Sequence, residues 1–357
     1  MVAREMKRAI DLRHGVGRLR VVHAEGGDEH VVLLLVHHMV MDGDGAPLHD
    51  GLIAAYNALV GGEAMPELRP EAQYLDWAAW QRALFEQPCT CSRPRCQRGE
   101  CNTLQCTLEW WRESLLGGGS GGELPVLELE CDKARPTMLS SASGAVAVSV
   151  GGEAAAALRR VCSSERATEM HGLVAAWSAL LCRDTGQEEG MVGFALGNRE
   201  HEAVGGVLGY FVNTIAVRLK CVASGSFVEG VRGARREVLG SMERGWVPFV
   251  EVVGALGGSA RGSGRGVYQT VLAYEGGFDG GGGEEGASAF FSGLEYVADD
   301  ALPSGGAPHE LGLHSAPSDE GYAASLAYRT DLFESTTMER MVASFELLLD
   351  RVVEQSS

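Results

Sequence analysis

The residues best placed to do chemistry in this 357-residue chain are two adjacent histidines followed by an acid and a glycine, in His37-His38-Met39-Val40-Met41-Asp42-Gly43. A neutral imidazole, with a pKa near ~6.5, can accept a proton at physiological pH. The carboxylate of Asp42 can fix the orientation of such a ring, or hold the surrounding loop through an ion pair. Gly43 permits a sharp turn, and its N–H can approach a developing oxyanion. Two other readings stand beside this one. An isolated HHxxxDG can be a surface loop that contains His-His by chance. Histidines and an acid are also metal-ligand types, but adjacent side chains at the end of an extended strand point in opposite directions, which argues against a metal site.

Elements on both sides must position this stretch. Two short strands are predicted ahead of it, Leu19 to His23 and Val31 to Val36, around the polar turn 24–30. The run VVLLLV has no polar alternation, the pattern of a strand buried on both faces. Beyond the motif, Leu48, Leu52, Ile53, Tyr56, Leu59 and Val60 share one face at helical spacing, and Gly61-Gly62 ends that helix. A second helix starts near Tyr74. GGGSGGE at 117–123 is a linker, and a boundary around 130–143 gives an N-terminal lobe, 1–130, and a C-terminal lobe, 131–357.

The second lobe opens on the alternating strand AVAVSV, followed by helices at 153–162 and around Leu173 to Leu181, with Gly186 beyond the end. Then come the strand MVGFAL, the segment VLGYFVNTIAVRL, a helix from Phe227 to Met242, and the strand VYQTVLAY. The glycine-rich stretch EGGFDGGGGEEG reads as a mobile loop. The strand YAASLAY and a helix from Met338 to Val353 close the chain. Strands and helices alternate in both halves, which predicts an α/β protein of two subdomains.

The totals exclude several classes. Hydrophobic residues make up 45% and charged residues 22%, ordinary for a globular chain. Glycine is in excess at 49 residues, concentrated in connections. With 30 basic and 48 acidic residues the net charge is −18, which would repel nucleic acid and anionic membranes. No apolar run reaches the ~20 residues that span a bilayer. Without a signal-peptide pattern, nine cysteines do not suggest a disulfide framework, and a cytoplasmic setting is expected.

Taken in order, seven stretches resemble the condensation domains of nonribosomal peptide synthetases. DLRHGVGRLRVV with DEHVVLLLVHHMVMDG is similar to their lead-in and HHxxxDG motif, and YLDWAAWQ at 74–81 to their Tyr-x-Asp-aromatic-Ala-x-Trp motif. LPVLELECDKARP resembles the junction of their halves, and LGYFVNTIAVR at 208–218 their Gly-x-Phe-Val-Asn-Thr motif. VPFVEVV, GRGVYQTVLAY and LAYRTDLF resemble the stretches that follow.

The resemblance implies a two-lobed chloramphenicol-acetyltransferase-like fold with an active-site tunnel. It also implies an acyltransferase activity in which an acceptor amine attacks a donor thioester. Both substrates would arrive on phosphopantetheine arms of carrier proteins, with no cofactor held by the chain itself. Carrier proteins and neighbouring synthetase domains would be its partners. By motif matching, His38 would accept or orient the proton of the attacking amine. His37 and Asp42 would be supports, Gly43 a backbone neighbour of the reacting carbonyl, and Asn213 and Thr214 shapers of the tunnel. A free-standing acyltransferase of the same fold and a non-catalytic remnant that docks carrier proteins are the alternatives.

The sequence departs from the family at several points. Members carry a further segment before DLRHGVGRLR, so the first lobe reads as truncated. That segment holds an arginine that pairs with the Asp of HHxxxDG, so Asp42 is expected to lack its arginine. Asp44-Gly45 and Val250 depart from the usual neighbours of their motifs. The insert at 88–106, PCTCSRPRCQRGECNTLQC, has Cys89, Cys91, Cys96, Cys101 and Cys106. Closely spaced thiolates can bind zinc, but the spacing is not a CxxC pair. The insert is therefore read as a surface insertion with incidental thiols, and no metal is expected.

Overall fold

The computed structural model describes residues 5, 8–23, 30–42, 45–67, 70–117, 122–138, 140, 142–199, 201–220, 225–258, 265–274, 292, 309–318 and 321–356. Gly43, Asp44, the glycine-rich loop from Glu275 and the middle of the GGGSGGE linker lie outside them. The protein is mixed α/β, as its alternation of patterns predicts, and divides into two compact units. One comprises Met1–Ala83, Gly197–Val212 and Asp279–Ser304, and the larger comprises Leu84–Leu196, Asn213–Phe278 and Gly305–Ser357. This differs from a single boundary near residue 130. Residues after Ala83 join the larger unit because the helix Thr103–Leu116 sends Trp111, Leu115 and Leu116 into its core. Residues 197–212 return to the first unit through polar contacts described below.

In the first unit, β1 (Gly17–His23) and β2 (His30–Val36) form a two-stranded antiparallel ribbon, with Leu19 opposite Leu34 and Val21 opposite Val32. The expectation of a strand buried on both faces is corrected here. Val21, Val32 and Leu19 are more than half exposed and Leu34 is 41% exposed, whereas Leu33 and Leu35 on the other face are half-buried. A continuous apolar run shows that neither face is polar, and does not show what covers each face. A 3-10 turn, His38–Val40, follows β2, then α1 (Ala46–Gly61), closed by Gly62 in the left-handed region at φ 69°. α2 (Tyr74–Glu86) carries the chain out of this unit.

The larger unit begins with the one-turn helix α3 (Pro94–Gln97) and α4 (Thr103–Leu116). Its sheet has six strands in the order β3-β8-β7-β6-β4-β5. These are β3 (Ser143–Gly151), β4 (Glu189–Leu196), β5 (Asn213–Lys220), β6 (Thr270–Tyr274), β7 (Leu311–Ser318) and β8 (Gly321–Arg329). β6 runs parallel to β4 and β7, and the other pairings are antiparallel. α5 (Gly152–Ser164), α6 (Glu169–Thr185), α8 (Phe227–Met242), α9 (Phe249–Leu256) and α10 (Ser335–Ser356) belong to this unit, and the short α7 (Glu202–Gly205) to the first. β7 is absent from the sequence expectation. Its Gly312, His314 and Pro317 obscure the strand pattern, yet Leu311, Leu313 and Ser315 are buried.

The apolar stripe of α6 is buried as its spacing requires. Leu173, Val174, Trp177, Leu180 and Leu181 are each 1% exposed or less, and Gly186 ends the helix at φ 67°. At its start, His171 Nδ1 accepts from the backbone N–H of Thr168 at 3.0 Å. The ring is buried, and burial, then the Arg235 guanidinium, push its pKa below the ordinary value. The unfolded chain therefore binds a proton here that the folded chain resists. The stability this neutral ring contributes is present above the unfolded-state pKa of ~6.5 and is lost as pH falls towards the folded value. Urea unfolding at pH 7.5 and 5.5 should show a loss that is smaller in His171→Asn; equal pH slopes would assign the loss to other groups.

No helix among the described residues is long and apolar enough to cross a membrane.

Candidate functional site

The site grows from the end of β2. His37 caps the 3-10 turn, its Nδ1 accepting from the Met39 N–H at 3.1 Å. The next residue turns its ring outward. The His38 side chain is exposed, and its Nδ1 lies 2.7 Å from the carbonyl oxygen of Met41. A carbonyl only accepts, so Nδ1 carries the proton and Nε2 of the neutral ring holds a free lone pair. The Tyr210 ring meets the imidazole edge-on, with centroids 5.2 Å apart.

Asp42 points the other way and is almost wholly buried. Its Oδ1 accepts from Arg199 Nη2 at 3.0 Å, with the two side chains 1% and 5% exposed. Its Oδ2 accepts from the backbone N–H groups of Phe211 and Val212 at 2.8 and 3.0 Å. The Asp42 N–H donates to Gly209 O at 3.2 Å. The expectation that Asp42 lacks an arginine is thus corrected: its partner is Arg199, a different arginine from the one in the segment ahead of DLRHGVGRLR, supplied from a later part of the chain. No local pattern flags Arg199, because the pair spans 157 residues of sequence. The one available signal is a cation placed just after the apolar strand run MVGFAL.

Arg199 is held from several sides. Its Nη1 donates to Val204 O and Val207 O, both at 2.9 Å, and its guanidinium lies 4.2 Å from the Phe211 ring centroid. Asn198 precedes it at φ 53°, a left-handed turn that asparagine tolerates better than most residues. α2 closes the cluster. Tyr74 and Trp77, both from the YLDWAAWQ stretch, pack on Phe211 with centroids 5.2 and 5.0 Å away. Burial, then the Asp42 charge and Tyr210, push the Tyr74 hydroxyl up, which keeps it a neutral donor to Tyr210 O at 2.9 Å. A side chain at Gly209 would meet the Tyr74 ring at 2.3 Å, so only glycine fits there.

The structure therefore brings His37, His38 and Asp42 together with Tyr74, Arg199 and Tyr210. Gly43 lies outside the described residues. Asn213 and Thr214 start β5 in the larger unit, immediately after the segment that Asp42 binds. The Asn213 amide donates to Gly245 O and Val247 O at 2.7 and 2.6 Å, and its Oδ1 accepts from the Phe249 N–H at 3.0 Å. Both donors are used, so this side chain holds the approach to α9. Asn213→Ala is expected to lower the unfolding free energy by about 2–4 kcal/mol, because three partners lose their bonds together. A loss below ~0.5 kcal/mol in urea unfolding would mean that water replaces the amide.

Comparison with known proteins adds a family and a fold. The family model for the condensation domain matches residues 1–357. The chain is 30% identical over 358 residues to phosphinothricin tripeptide synthetase PhsB of Streptomyces viridochromogenes, covering 100% of this chain and 28% of that protein. It is 28% identical over 350 residues to malpinin synthetase of Mortierella alpina, covering 97% of this chain and 4% of that one. The chain thus spans less than a third of these relatives. Among solved structures, the complex of the X-domain and OxyB from teicoplanin biosynthesis aligns at a TM-score of 0.81 and 22% identity, over 99% of this chain and 74% of that one. The epimerization domain from the third module of tyrocidine synthetase B aligns at 0.66 and 16%, over 98% and 74%.

Proposed function

The chain belongs to the condensation-domain family of nonribosomal peptide synthetases, and from that premise we propose that it forms an amide between a carrier-bound acyl thioester and a carrier-bound aminoacyl acceptor. The observation that supports this most is the orientation of His38. Its Nδ1–H is engaged by Met41 O at 2.7 Å, which leaves Nε2 as the basic nitrogen of an exposed ring. In the reaction, the acceptor nitrogen forms a C–N bond to the donor carbonyl and the C–S bond breaks. The amine proton passes to His38 Nε2 and then to the departing thiolate. No acyl-enzyme is needed. Holding the two tethered reactants together can lower the barrier by roughly 7–11 kcal/mol, and the imidazole removes the proton that would otherwise accumulate on the attacking nitrogen.

In this reading Asp42, Arg199 and His37 are positioning residues that fix the loop carrying His38. Carrier proteins and neighbouring synthetase domains are the partners, and phosphopantetheine thioesters are the substrates.

A second reading, a module that docks other proteins without reacting, draws on the exposed apolar face of the β1–β2 ribbon. The test is to supply an acylated donor carrier with an aminoacyl acceptor carrier, and in parallel with the free amino acid, and to detect amide by mass spectrometry. Product only with both carriers supports the proposal. Product with the free amine alone would make this a free-standing acyltransferase, and carrier binding without product would favour the docking module.

A further inference from the structure

The insert 88–106 has no ordinary core. Its buried side chains among the described residues are Cys96, Cys101 and Cys106, at 5–8% exposure, and they form a cluster with the half-buried Cys89 and Cys91 that is separate from the main core. The expected surface insertion with incidental thiols is therefore corrected: the thiols converge and face inward. A segment this small with no aliphatic or aromatic centre needs another source of order, and in short motifs that source is a disulfide or a metal.

The thiol sulfurs of Cys89, Cys96, Cys101 and Cys106 all lie within 4.8 Å of one another. Sγ separations are 2.6 Å for Cys96–Cys101 and 3.7 Å for Cys96–Cys106, and all five cysteines of the insert are free. A disulfide holds its sulfurs at about 2.05 Å. Four thiolates around zinc at ~2.3 Å stand about 3.8 Å apart. Cys96–Cys106, at 3.7 Å, already stands near that spacing, while Cys96–Cys101, at 2.6 Å, is wider than a bonded pair and must open by about 1.2 Å to join a tetrahedral set.

The backbone is shaped to bring these sulfurs together. Gly99, at φ 69°, reverses the chain between Cys96 and Cys101, with its N–H donating to Cys96 O at 2.9 Å. Pro88 and Asn102 form a bridge across the base of the loop, and the Cys89 N–H donates to Cys101 O at 3.3 Å. Asn102 caps α4 through a reciprocal bond with Gln105, which fixes the turn carrying Cys106. Arg93 lashes the loop to the same helix by ion pairs to Glu109 and Glu113 at 3.3 and 2.8 Å. The Cys91 N–H approaches Cys89 Sγ at 3.5 Å, the kind of backbone donor that supports a bound thiolate.

We propose that Cys89, Cys96, Cys101 and Cys106 bind one zinc ion in a closed tetrathiolate site that orders the insert. Binding releases the four thiol protons to solvent and leaves no open coordination position, so the ion is structural. Cys91, whose sulfur is 3.2 Å from Cys96 and 3.3 Å from Cys106, does not belong to the set of four sulfurs that all lie within 4.8 Å of one another, and is therefore taken as a neighbour and not a ligand.

The experiment uses the full chain, purified under reducing conditions, with zinc measured by mass spectrometry and Co²⁺ exchanged in as a spectroscopic probe. About one zinc per chain is expected, together with the intense visible bands and thiolate charge-transfer absorption of tetrahedral cobalt. Cys101→Ser should lose at least the ~10–100-fold in retention against a chelator that even supporting groups cost when removed, and Cys91→Ser should retain the ion. Should Cys101→Ser misfold, mercurial titration of the wild-type chain decides: zinc release in step with thiol modification is expected. A wild-type chain without zinc whose five insert thiols react freely in excess zinc would overturn the proposal. So would a Cys96–Cys101 disulfide that persists in zinc, iron–sulfur absorption, or loss of the ion in Cys91→Ser.

Discussion

His38→Ala is expected to slow amide formation about 10²–10⁴-fold while leaving stability nearly unchanged. The ring is exposed, and its one hydrogen bond among those described is to a backbone carbonyl at 2.7 Å, so truncation opens no cavity and strands no buried charge. What is lost is the lone pair on Nε2. In the proposed reaction the rate is not expected to fall to zero, because carrier tethering of both reactants would survive the substitution. Single-turnover assays with both carriers loaded, beside urea unfolding of the same variant, separate the two effects. An unchanged rate would remove His38 from the chemistry and move the chain towards the docking reading. An equal loss of rate and stability would mean that the imidazole acts on the fold.

Arg199→Met has the opposite signature. It removes the arginine from a carboxylate that is 1% exposed, and breaking a buried ion pair by removing one partner is expected to cost up to about 3–5 kcal/mol, less whatever the remaining donors to Asp42 offset. Phe211 loses its cation and the carbonyls of Val204 and Val207 lose a donor, so hydrogen exchange should accelerate first in 201–212 and in 38–42. Activity should fall with it, since the loop that presents His38 is anchored through Asp42. The double variant Asp42→Asn/Arg199→Met should be less destabilised than the two single losses added together, because it removes both charges. Strict additivity in that cycle would show that the pair does not act as a unit.

His38 and Arg199 differ in how far along the chain their signals reach. His38 was legible because its signal is local: two imidazoles at the end of an apolar run, an acid and a glycine beyond. Arg199 was not, because its role depends on a partner 157 residues away, and neither hydropathy nor helical spacing records such a pairing. The cysteine insert follows the same rule. Its spacing matches no standard pair, and its sulfurs converge only because Gly99 reverses the chain and Asn102 fixes the turn carrying Cys106.

The elements themselves were largely readable. The helix Phe227–Met242 has the bounds its amphipathic pattern predicts, and α6 stops at Gly186, where a left-handed residue is needed. Stripes and turn residues are written in neighbouring positions, so the alternation of elements, the HHxxxDG loop and the family are legible from the order of residues. Tertiary structure alone decided that one face of the β1–β2 ribbon is exposed, that Gly197–Val212 joins the first unit, and that Asp42 has its cation. Each of these depends on which distant segment supplies the partner for a buried or exposed group, and folding in three dimensions is what makes that choice.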